Sequence, residues 1–353
     1  MATTANPKRT ERKIRGVLID LSGTLHIGDE AIPGARDALT RLRAAAAAAA
    51  AATTTTESTT ASAAAAAGSG TGLVVRFLTN TSTMSIDRLL DHLNGTELGF
   101  GISPEELITS LKATVDHVKE RNLRPLLLLE DASDFGVDGI IDDGTTTTTT
   151  NDDDDDDDDD SVVVGLAPSR FGYEDLNRAF RVLLDHPDNL IAVHRGTTVK
   201  EQDGSRSLGP GAFVRALETA AGCAPATVLG KPNRAIFDHA VRSMNGGDGG
   251  GGGDGGSAAT AATTTIRAED VCMIGDDVRA DCRGALDAGI GTAILVRTGK
   301  YRGGDEEVCR CWRESPATGR SSDDGDDDDY ASGGRFLVRP SIVEAIDFVL
   351  ESM

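Results

Sequence analysis

Cysteine is scarce and scattered in this chain: five in 353 residues, at positions 223, 272, 282, 309 and 311. That excludes a disulfide framework, and Cys309-x-Cys311 has no second ligand pair nearby to make a zinc site. Reduced thiols in a cytoplasmic protein fit best. Basic residues are outnumbered too, 35 Lys and Arg against 57 Asp and Glu, for a net charge of −22. Phosphate backbones need a basic face, so nucleic acid is not an expected partner. Much of the excess is local: the nine Asp of 152–160 and the six at 323–324 and 326–329 account for −15 of the −22, leaving −7. No apolar run approaches the length of a bilayer span, so no membrane partner is expected. No His pair has metal-ligand spacing, and His26, His194 and His239 are expected to be cap or surface residues. The first ten residues are weakly like a transit peptide, but the first strand follows almost at once, leaving little room for a removable leader.

Four stretches also lack the apolar periodicity that offsets ordering entropy. They are the Ala-Thr-Ser-Gly tract at 44–71, the Thr and Asp runs at 144–160, the Gly-Ala-Thr tract at 245–265 and the Ser-Asp-Gly tract at 319–334. All four read as low-complexity loops, although Ala propensity allows a frayed helix in the first.

What remains alternates strand and helix. Strands are expected at 16–20, 74–79, 125–129, 162–166, 190–194, 226–230, 271–275 and 291–296. Helices are expected at 33–43, from about 85, from the capping box Ser103-Pro104-Glu105-Glu106 to about 120, and at 173–184, 209–221, 232–243, 278–288 and 341–351. This alternation predicts an α/β protein with parallel sheets and right-handed crossovers.

Two apolar runs end abruptly in carboxylates: Val17-Leu18-Ile19-Asp20 and Val271-Cys272-Met273-Ile274-Gly275-Asp276-Asp277. Between them lie Phe77-Leu78-Thr79-Asn80 and Val228-Leu229-Gly230-Lys231-Pro232. Open α/β sheets place ligand sites at the carboxyl ends of their strands. An Asp, a Thr, a Lys and an Asp pair delivered there suit attack on a phosphoryl group beside a hard metal ion. Asp20 is the candidate nucleophile, and Asp20 with Asp276 the candidate Mg²⁺ ligands. Thr79 and Lys231 would meet phosphate oxygens, backbone N–H groups near Leu21 and Ser22 would cradle them, and Asp277 and Asp281 would support the loop. Singly these signals are weak, because an Asp after a strand is often a helix cap and Gly-Lys-Pro is often a turn. Their joint order carries the reading. Asp134 and Asp138 are read as loop polar groups, and the Gly-Pro-Gly at 209–211 as a turn opening a helix.

In these motifs, Asp20-Leu21-Ser22-Gly23-Thr24, Thr79-Asn80, Lys231-Pro232 and Gly275-Asp276-Asp277 with Asp281, the chain resembles haloacid dehalogenase (HAD) superfamily hydrolases. The resemblance is to members with a large type II α/β cap between the second and third motifs. It implies a Rossmann-like core at 13–82 and 226–353, with a cap at 83–225. It also implies Mg²⁺ held by Asp20, the Ser22 main-chain carbonyl and Asp276, with Ser22, Thr79, Asn80 and Lys231 at the substrate phosphate. A small phosphorylated substrate, an aspartyl-phosphate intermediate and a homodimer through the cap follow from the same resemblance. One position departs from the pattern. Most phosphatases of the superfamily carry an Asp two residues after the nucleophile as general acid and base, and here it is Ser22. That favours substrates with good leaving groups, such as pyrophosphate or phosphoramidates. Two rivals stay open: a catalytically weak or inactive member that binds a phosphorylated ligand or protein, and a phosphoacceptor signalling domain, against which the inserted domain argues.

Overall fold

A computed structural model describes residues 13–54, 72–136, 159–200, 203–246, 265–307 and 334–353. Much of the low-complexity sequence, with Asp138, Cys309 and Cys311, lies outside the described residues.

The core is a six-stranded, wholly parallel sheet. Its strands in chain order are β1 (Gly16–Ile19), β4 (Val74–Thr79), β5 (Leu107–Thr109), β12 (Val271–Gly275), β13 (Thr292–Val296) and β14 (Arg335–Arg339). In space they run β14-β13-β12-β1-β4-β5. From β1 the chain winds outward through β4 and β5, and from β12 it winds the other way. The order therefore reverses between β1 and β12, and a crevice opens at their carboxyl ends. Those ends carry Asp20 and Asp276.

Strand alternation feeds two apolar layers. Val17 and Ile19 of β1 face the cluster filled by Leu39 and Leu42 of α1 (Ala35–Thr54), Leu89 and Leu93 of α2 (Ile86–Asn94), and Ile342 and Ile346 of α9 (Ile342–Glu351). Leu18 faces the opposite layer, with Ile236 and Phe237 of α7 (Arg234–Ser243). Covered on both faces, these strands read as continuous apolar runs. The Ala tract continues α1 to Thr54, so its first part is helical.

A second, four-stranded parallel sheet runs β11 (Thr227–Val228), β8 (Leu190–Ala192), β7 (Ser161–Val164), β6 (Pro125–Leu128). One face packs on α5 (Tyr173–Asp185) and α6 (Gly211–Ala221). The other packs on α3 (Ser110–Glu120) and Phe135 of the short α4 (Ser133–Gly136). Two hairpins complete the set: β2 (His26–Ile27) with β3 (Glu30–Ala31), and β9 (Thr198–Lys200) with β10 (Arg206–Leu208).

Three expectations need correction. The capping box at Ser103 forms, but it opens only a 3₁₀ turn. Leu107–Thr109 then pairs with β4 before helix begins at Ser110, because an open sheet edge outweighs local helix propensity. The strand near 226–230 belongs to the second sheet, not the core. The segment after Asp277 starts as a π-helical turn, Val278–Arg283, before α8 (Gly284–Asp287).

The Asp run also ends in structure. Asp160 accepts from Arg124 N through Oδ1 at 2.9 Å, and its carbonyl accepts from Asn189 at 2.8 Å. Removing 145–157 is therefore expected to shift urea-unfolding stability by no more than about 0.6 kcal/mol, since loop closure depends weakly on length. Extending the deletion through Asp160 should cost measurably more. A large loss from the shorter deletion would show that the tract docks on the body of the protein.

Candidate active site

β1 ends where its neighbour still holds it: Asp20 N donates to Ile274 O at 2.9 Å. Beyond Asp20 the chain turns sharply, with Thr24 N and Leu25 N both donating to Leu21 O at 3.1 and 2.8 Å. Gly23 sits in that turn at φ +90°, and a Cβ there would lie 2.0 Å from Asp276 Oδ2. Only glycine allows the turn to lie against the second carboxylate.

Lys231 reaches Asp20 by an unexpected route. The chain leaves β11, and Gly230 N donates to Val193 O of the second sheet at 2.9 Å. Asn80, just past β4, then clamps the Lys231 backbone: Lys231 N donates to Asn80 Oδ1 and Asn80 Nδ2 donates to Lys231 O, each at 2.9 Å. The side chain, 3% exposed, points inward. Its Nζ lies 2.5 Å from Asp20 Oδ1 and 2.7 Å from Asp281 Oδ1, and donates to Leu78 O at 2.8 Å. Burial opposes its charge, but the Asp20 and Asp281 carboxylates outweigh burial and hold the ammonium above its ordinary value. Asn80 lines the cavity with its amide committed to this clamp.

Asp276, 1% exposed, follows β12. Lys300 N donates to its Oδ2 at 2.6 Å, while Oδ1 is buried with no hydrogen-bond partner. Burial drives its carboxyl well above the ordinary range, and the Asp20 and Asp281 charges add to that against the pull of Lys300. Asp277 accepts from Arg279 N and Ala280 N at 3.0 and 2.9 Å, and its own N–H donates to Asp281 Oδ2 at 3.0 Å. Burial works against Asp277, but Lys300 and those two N–H groups hold its carboxyl below the usual value. Asp281 is pushed up to about 7 by burial and by the charges of Asp20 and Asp277, despite Lys231.

Oxygens of Asp20, Asp276 and Asp281 all lie within 4.8 Å of one another. The Lys231 ammonium offsets Asp20 and Asp281, and the repulsion left over falls on Asp276. The orphaned Asp276 Oδ1 is an acceptor without a donor. An all-oxygen set of this kind fits a hard divalent ion such as Mg²⁺.

A cavity of about 170 Å³ opens over the group, with Ser22, Thr79, His194 and Lys300 among its walls. The Thr79 hydroxyl lies 2.9 Å from that of Thr81 and accepts from Thr81 N at 3.1 Å. His194 and Lys300 have no sequence signal that marks them. Lack of hydration at the cavity wall, with Lys300 and Lys231 beside it, lowers His194 to about 3, so its imidazole is neutral. Lys300 is raised to about 12, with Asp276 and Asp277 outweighing burial. His26 is buried, its Nδ1 2.7 Å from Gly28 O, and lines a wider cleft of about 650 Å³ that shares Ser22, Thr81 and Thr83 with the cavity. His239 is exposed on α7. Asp134 accepts from Ile86 N at the start of α2, and Gly-Pro-Gly 209–211 forms the turn that opens α6.

The proposed nucleophile, lysine, threonine and acidic pair thus converge at the crevice where strand order reverses. The sequence profile described as haloacid dehalogenase-like hydrolase matches residues 17–134, and a second HAD hydrolase-like profile matches 228–316. The chain belongs to the haloacid dehalogenase-like hydrolase family. It is 39% identical over 298 residues to haloacid dehalogenase-like hydrolase domain-containing protein 2 of Bos taurus, covering 84% of this chain and 90% of that one. It is 33% identical over 298 residues to phospholysine phosphohistidine inorganic pyrophosphate phosphatase of Mus musculus, covering 83% and 86%. Among solved structures, a 4-nitrophenylphosphatase of Thermotoga maritima shares the fold at TM-score 0.61 and 20% identity, over 95% of this chain and 97% of the other. A glycerol phosphate phosphatase of Mycobacterium tuberculosis solved with magnesium does so at TM-score 0.59 and 21% identity, over 95% and 76%. Among the described residues no helix is long and apolar enough to cross a membrane, and Cys223, Cys272 and Cys282 are free thiols.

Proposed function

We propose that the protein is a Mg²⁺-dependent phosphatase-like hydrolase of small phosphorylated molecules that works through an aspartyl-phosphate on Asp20. The observation that carries the reading is Lys231 Nζ, buried and 2.5 Å from Asp20 Oδ1, in a group whose Asp276 Oδ1 has no donor. Asp20, Asp276 and the Ser22 carbonyl would hold the ion, with Asp281 near enough to join or to orient its waters. Bound Mg²⁺ would neutralise the anionic partners and polarise the phosphoryl group.

Asp20 supplies a carboxylate oxygen to phosphorus as the bond to the leaving group breaks. Water then cleaves the acyl phosphate and returns Asp20. Lys231 holds a fixed positive charge where negative charge develops, and its ion pairs orient it beforehand. Thr79 offers its hydroxyl to a phosphate oxygen, and Asn80 positions Lys231. The segment from α3 to β11 would act as a cap over the crevice; it starts later than the cap expected at 83–225, because α2 packs on the core and β5 pairs with β4.

Ser22 cannot deliver a proton as a carboxylic acid would. A placed acid is worth roughly 10²–10⁴-fold, and poor leaving groups need it most. Pyrophosphate leaves as a stable phosphate, and a phosphoramidate can carry the proton on its own nitrogen. The relative named for phospholysine, phosphohistidine and pyrophosphate supports this substrate class. The same serine also supports a second reading, a weak member that binds a phosphorylated ligand.

Purified protein should hydrolyse aryl phosphates, pyrophosphate and phosphoramidates in Mg²⁺, and sugar phosphates far more slowly. Excess chelator should stop all of these reactions. Ca²⁺, with its larger and looser shell, should restore less than Mg²⁺. Full activity in chelator would refute the metal reading. Stoichiometric aspartyl-phosphate without turnover would favour the ligand-binding one.

A further inference from the structure

One peptide unit joins the β9–β10 hairpin to the carboxylate whose Oδ1 lacks a donor. Lys200 Nζ, at the end of β9, donates to Gly299 O at 2.7 Å. The N–H of that same peptide belongs to Lys300 and donates to Asp276 Oδ2 at 2.6 Å. An ammonium on the carbonyl polarises the amide, making its N–H a stronger donor, and it also fixes the peptide plane. Arg206, directly opposite Lys200 in the β9–β10 pair, donates from Nη2 to Lys300 O at 3.3 Å.

That cross-strand pair is informative in itself. Like charges directly opposite one another weaken a hairpin. Here both cations reach consecutive carbonyls of one loop, which compensates the repulsion. The loop is held equally firmly from the core side. Thr298 Oγ1 donates to Gly23 O at 2.5 Å, and a Cβ on Gly299 would fall 1.9 Å from Asp276 Oδ2 and 2.4 Å from Gly23 Cα. The 298–300 loop therefore touches the turn after Asp20 and the Asp276 carboxylate at once, so a small shift of the loop displaces both.

We infer that the β9–β10 hairpin is a latch on the metal-holding carboxylate, and that Lys200 is a positioning residue for Asp276 acting through the 299–300 peptide. With Oδ2 tied down by that N–H, Oδ1 is presented to the ion. Docking of the hairpin then sets how well the site binds its cation. This rests on the metal reading above, and it adds a residue far from the motifs, on a strand of only three residues.

The test uses the full-length protein with Lys200→Met and two measurements. Hydrogen exchange of the 298–300 amides, taken in chelator, should be faster than in the parent protein. Calorimetric Mg²⁺ affinity should fall about tenfold, in line with loss of a charge-assisted hydrogen bond. The direction discriminates, because deleting a cation near a cation site would by electrostatics alone tighten Mg²⁺ binding. Lys200→Arg should restore both properties, and Arg206→Met should have a smaller effect. Unchanged exchange would overturn the latch, and so would faster exchange with unchanged or tighter Mg²⁺ binding. If the parent protein itself takes up no Mg²⁺, the metal reading falls, and the exchange comparison still decides whether Lys200 holds the peptide. Should Lys200→Met fail to fold, Lys200→Gln, which keeps a donor without the charge, carries the same comparison.

Discussion

Replacing Asp20 by Asn is expected to abolish turnover and leave the protein folded. The amide has the shape of the carboxylate and can still accept from the Lys231 ammonium, but its oxygen is a poor nucleophile toward phosphorus. Lys231 keeps its ion pair with Asp281 at 2.7 Å and its bond to Leu78 O, so its charge stays compensated. Removing one of three crowded carboxylates relieves repulsion, and the metal-free variant should melt no lower than the parent protein. Loss of an enzyme nucleophile costs at least on the order of 10⁴ in rate. Steady-state rates on an aryl phosphate, with circular-dichroism melting alongside, check both halves. More than trace activity in a pure sample would remove Asp20 from the nucleophile role, and Asp20→Ala should agree.

The core sheet is legible in the sequence for a physical reason. A parallel strand covered on both faces must be apolar at nearly every position, and Gly16–Ile19 and Val271–Gly275 are buried throughout. Strands without that requirement carry no such signal. β10 is exposed at all three residues, and β2 and β3 are two residues each, too short to show a period. β14 lies beside a low-complexity tract, and the Arg at each end of its Arg-Phe-Leu-Val-Arg leaves only three apolar residues to show a strand. The capping box at Ser103 was a true local signal overruled by pairing with β4.

The site divides in the same way. Asp20 and Asp276 follow, and Thr79 ends, strands whose pattern announces them. Lys231 is marked by its Gly-Lys-Pro context, yet it arrives from the second sheet, held by an Asn80 clamp that no sequence pattern displays. Lys300 carries no sequence mark because its first contribution is a main-chain N–H, which every residue but proline possesses. Lys200 and Arg206 lie on short, partly exposed strands, and only their cross-strand register brings them to one loop. Chemistry carried by side chains at strand ends is readable. Chemistry carried by backbone direction waits for the fold.

Replacing Lys231 by Met should damage both stability and rate, and Mg²⁺ should separate the two. The substitution keeps the length and apolar stem but strands Asp20 and Asp281 in a buried site without their shared cation. Breaking a buried pair by removing one partner costs about 3–5 kcal/mol. In chelator, urea unfolding should show a loss of that size. Mg²⁺ should recover more stability in the variant than in the parent protein, since the competing ammonium is gone and binding to the folded state stabilises it. Turnover in saturating Mg²⁺ should still fall by roughly 10²–10³, because no fixed charge then meets the developing negative charge. pH gives an independent handle. In the metal-free parent protein Asp281 is raised from its ordinary 3.8 to about 7, so the folded state holds this proton more tightly than the unfolded chain. That contribution is fully present below about pH 4 and is lost as pH rises toward 7, at about 1.4 kcal/mol per pH unit for each proton retained. Without Lys231 to favour ionisation, the window should extend to higher pH, and Mg²⁺ should flatten it in both proteins. A Lys231→Met protein as stable as the parent in chelator at pH 8 would show that the ammonium does not compensate these carboxylates, and the electrostatic account of the site would fall with it.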